Sequence, residues 1–310
     1  MKEVYDLIII GGGPAGLSCA IYAGRAKLNS LLLEKSAWGG NLLFTEKVEN
    51  YPGFFEPIFA YRLAEEMRKQ AEKFGAELKE EEVIEIDIRG KEKVVITEQE
   101  RIYRSSAVVI ATGTRYKELG VPGEWGLVGK GVSYCGTCDG PLFQNKEIVV
   151  VGGGDTALGE TIFLSRFAKK IFLIHRRDRF RGTKVLQERI FALPNVEVCW
   201  DTVVLEIKGV EKVEGVRIKN LKNEKEDFIS CAGVFIFIGV KPQTEFIRKL
   251  IKLDEQGFII TDEKLQTSQE GIFACGDVRK NSLKQIVNAC AEGAWAAISA
   301  EKYIEEVKNG

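Results

Sequence analysis

Short apolar runs, each followed by glycines and then by a longer segment with small residues, recur along the chain. The first run, Leu7 to Ile10, is typical of a buried parallel strand. The stretch from Pro14 to Arg25 predicts a helix with proline in its first turn. A second apolar run, "SLLLE", ends at Glu34. The pattern predicts a βαβ unit at the start of the chain.

The glycines between the first strand and its helix have a recognisable spacing. Gly11, Gly13 and Gly16 satisfy G-x-G-x-x-G. In that pattern the glycines allow a tight turn, close approach of the backbone to a pyrophosphate, and close packing of helix on strand. Glu34 adds a carboxylate where ribose hydroxyls would lie. A plain strand–turn–helix is the alternative, and the context favours a dinucleotide site.

The same organisation recurs in the middle of the chain. In "EIVVVGGGDTALGETIF", Gly152 and Gly154 are followed by Ala157 at the third position. From Gly11 to Glu34 is 23 residues, and from Gly152 to His175 is also 23. Two βαβ units with matched internal spacing favour two nucleotide sites over one chance match.

The two units differ where the ribose would lie. The second strand end carries His175, Arg176 and Arg177, with Arg181 shortly after, in place of a carboxylate. A carboxylate would repel a 2′-phosphate, whereas guanidinium groups can bind it in a bidentate manner. The first site therefore suits FAD or NAD and the second suits NADP. A solvated basic start of a helix is the alternative for the arginines.

Two further apolar runs suggest how the domains are arranged. "AVVIATGT" (107–114) and "GVFIFIGVKP" (233–242) bracket the second unit, and each predicts a strand leading into a crossover. We therefore predict an α/β protein with two Rossmann-like dinucleotide-binding domains in three layers, the second domain being inserted within the first. The predicted boundaries are 1–113 and 243–310 for the first domain and 114–242 for the second.

Charge and hydropathy limit the partners. The 310 residues include 44 basic and 45 acidic side chains, so no global field would attract nucleic acid or an anionic membrane. No apolar run approaches the roughly 20 residues that span a bilayer. The first glycine motif begins at Gly11, which leaves little room for a secretion signal. We expect a cytoplasmic protein that binds neither nucleic acid nor membrane.

The cysteines supply the candidate chemistry. There are seven, an odd number scattered mostly in apolar contexts, which argues against a secreted disulfide framework. "CGTCDG" places Cys135 and Cys138 two residues apart, beside Asp139. A closed zinc site needs four ligands, and this chain offers one close pair and a single histidine. An inert buried pair is a second alternative. A dithiol/disulfide couple next to the second βαβ unit is favoured.

Taken in order, these motifs resemble the low-molecular-weight thioredoxin reductases, a branch of the flavoproteins with two dinucleotide-binding domains. The resemblance covers nearly the whole chain. It is carried by "GGGPAG", "VENYPGF", "ATG", "CGTCDG", "GGGDTA", "HRRDRFR" and "GIFACGDV". It implies FAD in the N- and C-terminal parts, and NADPH and the redox disulfide in the central domain.

The resemblance also implies site residues. The expected FAD contacts are Gly11, Gly13, Pro14, Ala15, Gly16, Glu34, Lys35, Gly40, Asn41, Asn50, Val83, Ala111, Thr112, Gly113, Gly276, Asp277, Gln285 and Ile286. The expected NADPH contacts are Gly152, Gly153, Gly154, Asp155, Thr156, His175, Arg176, Arg177, Arg181 and Gly239. No metal ligand is implied. The chain departs from the family at Asn41, usually Gln, and at Lys284 and Ile286, usually Arg and Ala.

The implied activity is reduction of a thioredoxin-like or glutaredoxin-like protein by NADPH through FAD and the Cys135/Cys138 disulfide. Cys138 would face the flavin, Cys135 would attack the partner, and Asp139 would manage the proton. The resemblance further implies a homodimer and a central domain that rotates on hinges near Thr114 and Pro242. Glutathione-reductase-like relatives are excluded, because "WGGNLL" lacks their cysteines and no C-terminal histidine exists.

Three other functions remain open at the level of sequence. A ferredoxin-dependent thioredoxin reductase has this architecture but should lack intact "GGGDTA" and "HRRDRFR". The flavoprotein subunit of alkyl hydroperoxide reductase shares "CDGPLF" but should carry an additional N-terminal thioredoxin-like domain. A non-catalytic flavin redox sensor would bind a partner without turnover.

Overall fold

The computed structural model describes residues 3–309 and forms two compact units. Unit 1 comprises residues 3–43, 51–115 and 241–309, and unit 2 comprises residues 44–50 and 116–240. The chain passes from unit 1 to unit 2 within the strand Thr114–Tyr116 and returns within the strand Val240–Pro242. The short segment Phe44–Asn50 belongs to unit 2, a grouping that the sequence does not indicate.

The first part of the chain contains β1 (Glu3–Ile10), α1 (Pro14–Arg25), β2 (Ser30–Glu34), β3 (Lys47–Val48), β4 (Ile58–Phe59), α2 (Ala60–Lys73), β5 (Glu77–Glu80), β6 (Val83–Arg89), β7 (Glu92–Thr97), β8 (Ile102–Ile110) and β9 (Thr114–Tyr116). The rest contains β10 (Val132–Ser133), α3 (Gly136–Asp139), β11 (Glu147–Gly152), α4 (Asp155–Leu164), β12 (Lys170–Ile174), α5 (Lys184–Phe191), β13 (Val196–Cys199), β14 (Thr202–Gly209), β15 (Val213–Asn220), β16 (Glu226–Ser230), β17 (Gly233–Phe237), β18 (Val240–Pro242), β19 (Ile272–Ala274) and α6 (Ile286–Asn309).

The main sheet of unit 1 has the strand order β5-β2-β1-β8-β7-β6, and β19 also pairs with β8. The strands β5, β2, β1, β8 and β19 run parallel, whereas β6, β7 and β8 pair antiparallel. All five residues of β2 are buried, as expected of a parallel strand covered on both faces. The helices α1 and α6 pack closely, because a Cβ at Gly293 would overlap the carbonyl oxygen of Ala15.

Unit 2 contains a five-stranded parallel sheet with the order β10-β17-β11-β12-β13. Successive residues of β11 alternate between its faces. Ile148 and Val150 belong to the same core as Leu158 of α4, and Val149 and Val151 face the core shared with the antiparallel strands β14–β16. The unit is therefore layered as helix, parallel sheet and antiparallel sheet.

These two sheets, one mixed and one parallel, each with a glycine-rich turn between a strand and a helix, confirm the predicted α/β class with two Rossmann-like units. Among the helices of residues 3–309, none combines the length and the apolar content needed to cross a bilayer. Which cofactor each unit binds stays a prediction at this point.

Candidate functional site

The turn after β1 depends on glycines, because side chains at two of its positions would overlap the backbone. Gly11 has φ +111°, and a Cβ there would overlap the carbonyl oxygen of Ala111. A Cβ at Gly16 would overlap the carbonyl oxygen of Gly11. At Gly13 the space is open, since the first atom that a Cβ would meet lies 3.9 Å away. No side chain caps the first turn of α1, so its N–H groups are available to an anion.

Glu34 is fixed at the end of β2 beside this turn. Its side chain is buried, and Oε2 accepts a hydrogen bond from Gly12 N at 2.6 Å while Oε1 accepts one from Ser36 N at 2.9 Å. A cavity of about 400 Å³ opens next to it, lined also by Lys35, Val83 and Thr112. The carboxylate, the open glycine turn and this cavity fit the adenosine and pyrophosphate parts of a dinucleotide such as FAD.

The other predicted FAD residues of unit 1 lie at the start of α6 and at strand ends. Gly276 N donates to Glu292 Oε2 at 2.7 Å, and Arg279 forms an ion pair with Glu292 at 2.7 Å, so the turn at Asp277 is held in place. Burial raises the pKa of Asp277 to about 6, Lys284 lowers it and Glu292 raises it. Thr112 Oγ1 donates to the carbonyl of Gln243 at 2.8 Å.

One of the predicted cofactor residues lies outside the unit that holds the rest of its group. Asn50, predicted for FAD, lies in the segment that belongs to unit 2. Asn41, a departure from the family, lies in unit 1 and donates to Thr114 Oγ1 at 3.3 Å. Gly239, predicted for NADPH, lies in unit 2 just before β18.

The turn after β11 repeats the architecture of unit 1. A Cβ at Gly152 would lie 2.6 Å from the carbonyl oxygen of Phe237, whereas the space at Gly154 is open to 4 Å. The helix α4 begins at Asp155, whose Oδ1 accepts a hydrogen bond from Thr183 N at 2.7 Å. The open N-terminus of α4 fits the phosphates of a second nucleotide.

The side chains at the end of β12 divide into one buried and three exposed groups. His175 is buried with its ring beneath Gly153, and burial lowers its pKa. Arg176, Arg177 and Arg181 are exposed, and none of their guanidinium groups forms an ion pair or hydrogen bond with another described residue. Three unpaired guanidinium groups beside an open helix N-terminus fit a phosphate in addition to the pyrophosphate.

The two cysteines of "CGTC" form a disulfide, with their Cα atoms 5.3 Å apart. Cys135 is the N-cap residue of α3, and its Sγ accepts a hydrogen bond from Cys138 N at 3.2 Å. The predicted disulfide is thereby confirmed, and a bonded pair offers no thiolate to zinc. Within residues 3–309, no group of three or more His, Cys, Asp or Glu side chains could hold a metal ion. The free cysteines are Cys19, Cys199, Cys231, Cys275 and Cys290.

Asp139 lies at the end of α3 and is 6% exposed. Its two oxygens accept hydrogen bonds from two hydroxyl groups, Oδ1 from Thr45 and Oδ2 from Ser133, each at 2.6 Å. Ser133 Oγ also accepts from Cys135 N at 3.1 Å, which ties the carboxyl to the cysteine backbone. Burial raises the pKa of Asp139, and the two hydroxyl groups lower it.

Sequence reasoning missed both hydroxyl partners. Ser133 lies only two residues before Cys135, so its position in "VSYCGTCD" was an available signal. Thr45 is distant in sequence from Asp139 and reaches it because the segment Phe44–Asn50 folds with unit 2. No local pattern indicates that contact.

Comparison with known proteins gives concordant matches. Residues 5–293 match the family model described as pyridine nucleotide-disulphide oxidoreductase. The chain is 44% identical over 311 residues to a thioredoxin reductase of Peptoclostridium acidaminophilum, covering 98% of each. It is also 44% identical to that of Bacillus subtilis (strain 168), covering 99% of this chain and 97% of the relative. The thioredoxin reductase structure from Streptococcus pyogenes MGAS5005 superposes with a TM-score of 0.94 at 43% identity, covering 99% of this chain and 100% of that one.

Proposed function

Because the chain belongs to the thioredoxin reductase family of pyridine nucleotide-disulphide oxidoreductases, we propose that it reduces a thioredoxin-like or glutaredoxin-like protein with NADPH, through FAD and the Cys135–Cys138 disulfide. The observation that carries the proposal is this disulfide with the buried carboxyl of Asp139 beside it. Both belong to the unit that also carries the arginine-bearing βαβ turn.

FAD, when bound, supplies a two-electron carrier between a nicotinamide and a disulfide. In unit 1, Glu34 accepts hydrogen bonds from ribose hydroxyl groups, and the N–H groups around Gly13 bind the phosphates. The half-buried Asp277, in the turn Gly276–Val278, is a second candidate contact for FAD in unit 1. In unit 2, the N-terminus of α4 binds the phosphates of NADPH, and the three exposed guanidinium groups select the 2′-phosphate.

Disulfide exchange then proceeds on the chain's own sulfurs. The Cys135 thiolate attacks one sulfur of the partner's disulfide, and the other partner sulfur leaves and takes a proton from Asp139. Cys138 next attacks the Cys135 sulfur of the mixed disulfide. This step releases the second partner sulfur and re-forms the Cys135–Cys138 bond, so two electrons have passed to the partner.

We further propose a cytoplasmic homodimer without nucleic acid or membrane partners, as expected from the sequence. The near balance of charge supports the absence of a nucleic-acid partner, the five free cysteines support the cytoplasm, and the homodimer follows from the family resemblance. The intact "GGGDTA" turn and the unpaired arginines favour NADPH over ferredoxin as the electron donor.

The test is a disulfide-reduction assay with a panel of thioredoxins and glutaredoxins, with NADPH or NADH as donor and the flavin spectrum recorded throughout. We expect NADPH-driven turnover with at least one partner. Flavin reduction without turnover on any of them would favour the redox sensor, and failure of NADPH to reduce the flavin would favour ferredoxin.

Single cysteine variants test the roles of the two sulfurs. We expect Cys135→Ser to show a long-wavelength absorption band, which arises when a thiolate lies against oxidised flavin, and Cys138→Ser to lack it. The band should fade on acidification, with a midpoint below about 8.5. Neither variant should turn over thioredoxin, because exchange needs two sulfurs. A band in Cys138→Ser instead would reverse the roles.

A further inference from the structure

A second carboxyl group lies against α3, the helix that carries the Cys135–Cys138 disulfide and that we call the redox helix. Glu160 is on α4, five residues after Asp155, and α4 packs against α3. A Cβ added at Gly136 would overlap Glu160 Oε2, so the carboxyl occupies the space that a side chain between the two cysteines would need. The Oε2 atom is buried and has no hydrogen-bond partner among residues 3–309.

The groups that face this carboxyl are the first two N–H groups of α3. Burial raises the pKa of Glu160, and the backbone N–H groups of Thr137 and Gly136 lower it. These N–H groups lie at the start of the helix whose N-cap residue is Cys135. They are therefore donors that would otherwise favour a thiolate on Cys135.

Reduction of the disulfide changes the charge at this point. Two electrons break the S–S bond, and the two sulfurs take up one or two protons from solvent, depending on pH. When one proton is taken up, a thiolate is left at the turn of α3 whose first N–H groups face an ionised Glu160 of α4. The carboxylate repels that thiolate and holds the N–H groups of Gly136 and Thr137, which leaves the Cys135 sulfur with the N–H of Cys138 alone among the first three of α3.

We propose that Glu160 is a positioning residue of the redox centre, which holds the Cys135–Cys138 couple in a less easily reduced state by opposing the thiolate. The proposal rests on the proposed function only in treating this pair as the redox couple. Since α4 also carries the proposed NADPH phosphate site at its N-terminus, one helix serves both the coenzyme and the disulfide.

The other titratable groups near α4 are accounted for. Burial and the two N–H groups are the causes of the shift in the Glu160 pKa, and no charged side chain is among them. The elements packed against α4 are α3, α5, β11, β17 and the 3₁₀ turn Gly140–Phe143. Their titratable or charged side chains are Asp139 on α3, Glu147 on β11, and Lys184, Glu188 and Arg189 on α5, besides the two cysteines that cap and belong to α3.

The experiment equilibrates the FAD-loaded enzyme with mixtures of reduced and oxidised dithiothreitol, without NADPH or thioredoxin. The Cys135 and Cys138 thiols are then counted by alkylation and mass spectrometry. At pH 8.5 we expect Glu160→Gln to shift the equilibrium constant toward the dithiol by at least about fivefold relative to wild type. At pH 5.5, where carboxyl and thiols are more protonated, the shift should fall below about twofold. Dithiothreitol is common to both proteins, so its own titration cancels in the ratio.

Two further variants keep the test decisive. Glu188→Gln removes an exposed carboxylate of α5 in the same unit and should leave the constant unchanged at both pH values. Glu160→Asp keeps the charge and should lie closer to wild type than Glu160→Gln does. If circular dichroism shows that Glu160→Gln does not fold, the test rests on two other comparisons. These are Glu160→Asp against wild type, and the pH dependence of wild type against that of Glu188→Gln.

An unchanged constant for Glu160→Gln at pH 8.5, or a shift of equal size at both pH values, would overturn the proposal and leave Glu160 a packing residue. Failure of the proposed function is a separate outcome, since it would appear as absent thioredoxin turnover in the wild-type enzyme.

Discussion

The two units each bury a carboxyl group at a functional position, and they satisfy it with different partners. In unit 1, the two shorter hydrogen bonds that Glu34 accepts come from the N–H groups of Gly12 and Ser36, at 2.6 and 2.9 Å, and the Ser36 hydroxyl group donates a longer one at 3.2 Å. In unit 2, Asp139 accepts hydrogen bonds from the hydroxyl groups of Thr45 and Ser133. An N–H group can only donate, whereas a hydroxyl group can donate or accept.

This difference fits the proposed roles, a binding carboxylate in unit 1 and a proton-transfer carboxyl in unit 2. The two N–H partners of Glu34 can only donate, so they hold its oxygens as acceptors, the role that binding of ribose hydroxyl groups requires. The partners of Asp139 can rotate, so they satisfy the carboxyl both with and without its proton. A group that takes and returns a proton in each cycle needs such partners.

The strongest test of this comparison removes the transferable proton of Asp139 in unit 2. Asp139→Asn keeps the size of the side chain but cannot transfer a proton, so we expect thioredoxin turnover to fall by roughly 10². Flavin reduction by NADPH, followed by stopped flow, should remain at the wild-type rate. Asp227→Asn, an exposed aspartate of the same unit, is the control. Unchanged turnover would reduce Asp139 to a turn residue.

The matching test in unit 1 removes the binding carboxylate. Glu34→Ala takes away the acceptor of two N–H groups and of the ribose hydroxyls, so the dissociation constant for FAD should rise by about 30-fold. Fluorescence titration of the deflavinated protein with FAD measures it, and Glu85→Ala, an exposed glutamate of unit 1, should bind as wild type. Equal FAD affinity in the two variants would contradict the assignment of unit 1.

The arginines of unit 2 test the proposed difference between the ribose-binding positions of the two units. Replacing Arg176 and Arg177 with Ala should raise KM for NADPH at least about tenfold, because charge-assisted hydrogen bonds to the 2′-phosphate are lost. KM for NADH should change little. The matched control is Arg189→Ala on α5, an exposed arginine of the same unit. Equal losses for both coenzymes would show that the arginines do not read the 2′-phosphate.

The smallest expected effect concerns a hydroxyl partner of Asp139. Thr45→Val removes a hydrogen bond that lowers the pKa of the carboxyl, so this pKa should rise further above its usual range. As a proton donor, Asp139 loses activity as pH rises through its pKa, and the descending limb of turnover should therefore move to higher pH.

At a fixed pH on that limb, the turnover rate of Thr45→Val should be about threefold higher than that of wild type. The pH profile of kcat is the measurement, and Thr45→Ser, which keeps the hydroxyl group, should restore the wild-type profile. A loss of rate with no movement of the limb would mean that Thr45 only supports packing.

The sequence is informative where function depends on local spacing. The turns at Gly11 and Gly152, the position of Glu34 at the end of β2 and the Cys135–Cys138 pair were all predictable, because each is set by a few consecutive residues. Thr45 and Glu160 were not, since each meets the redox helix only after distant segments fold together.

His175 shows a different limit of sequence reasoning. In sequence it stands next to two exposed arginines, and the resemblance groups it with them. In the structure the alternation at the end of β12 turns its ring inward beneath Gly153. We infer that it supports the turn from below, and its contact with NADPH stays a prediction.

The five unpaired cysteines decide where oxidants can act on this protein. Burial raises the pKa of each of them, to about 11 for Cys199 and about 12 for Cys231. At neutral pH they hold almost no thiolate, which is the form that peroxides attack. Of the seven cysteines this leaves Cys135 and Cys138, in their reduced state, as the targets of an oxidant, and a sulfenic acid formed on one of them can condense with the other to re-form the bond that the catalytic cycle itself reduces. Exposure to peroxide would therefore consume NADPH through this pair before it oxidised any cysteine irreversibly.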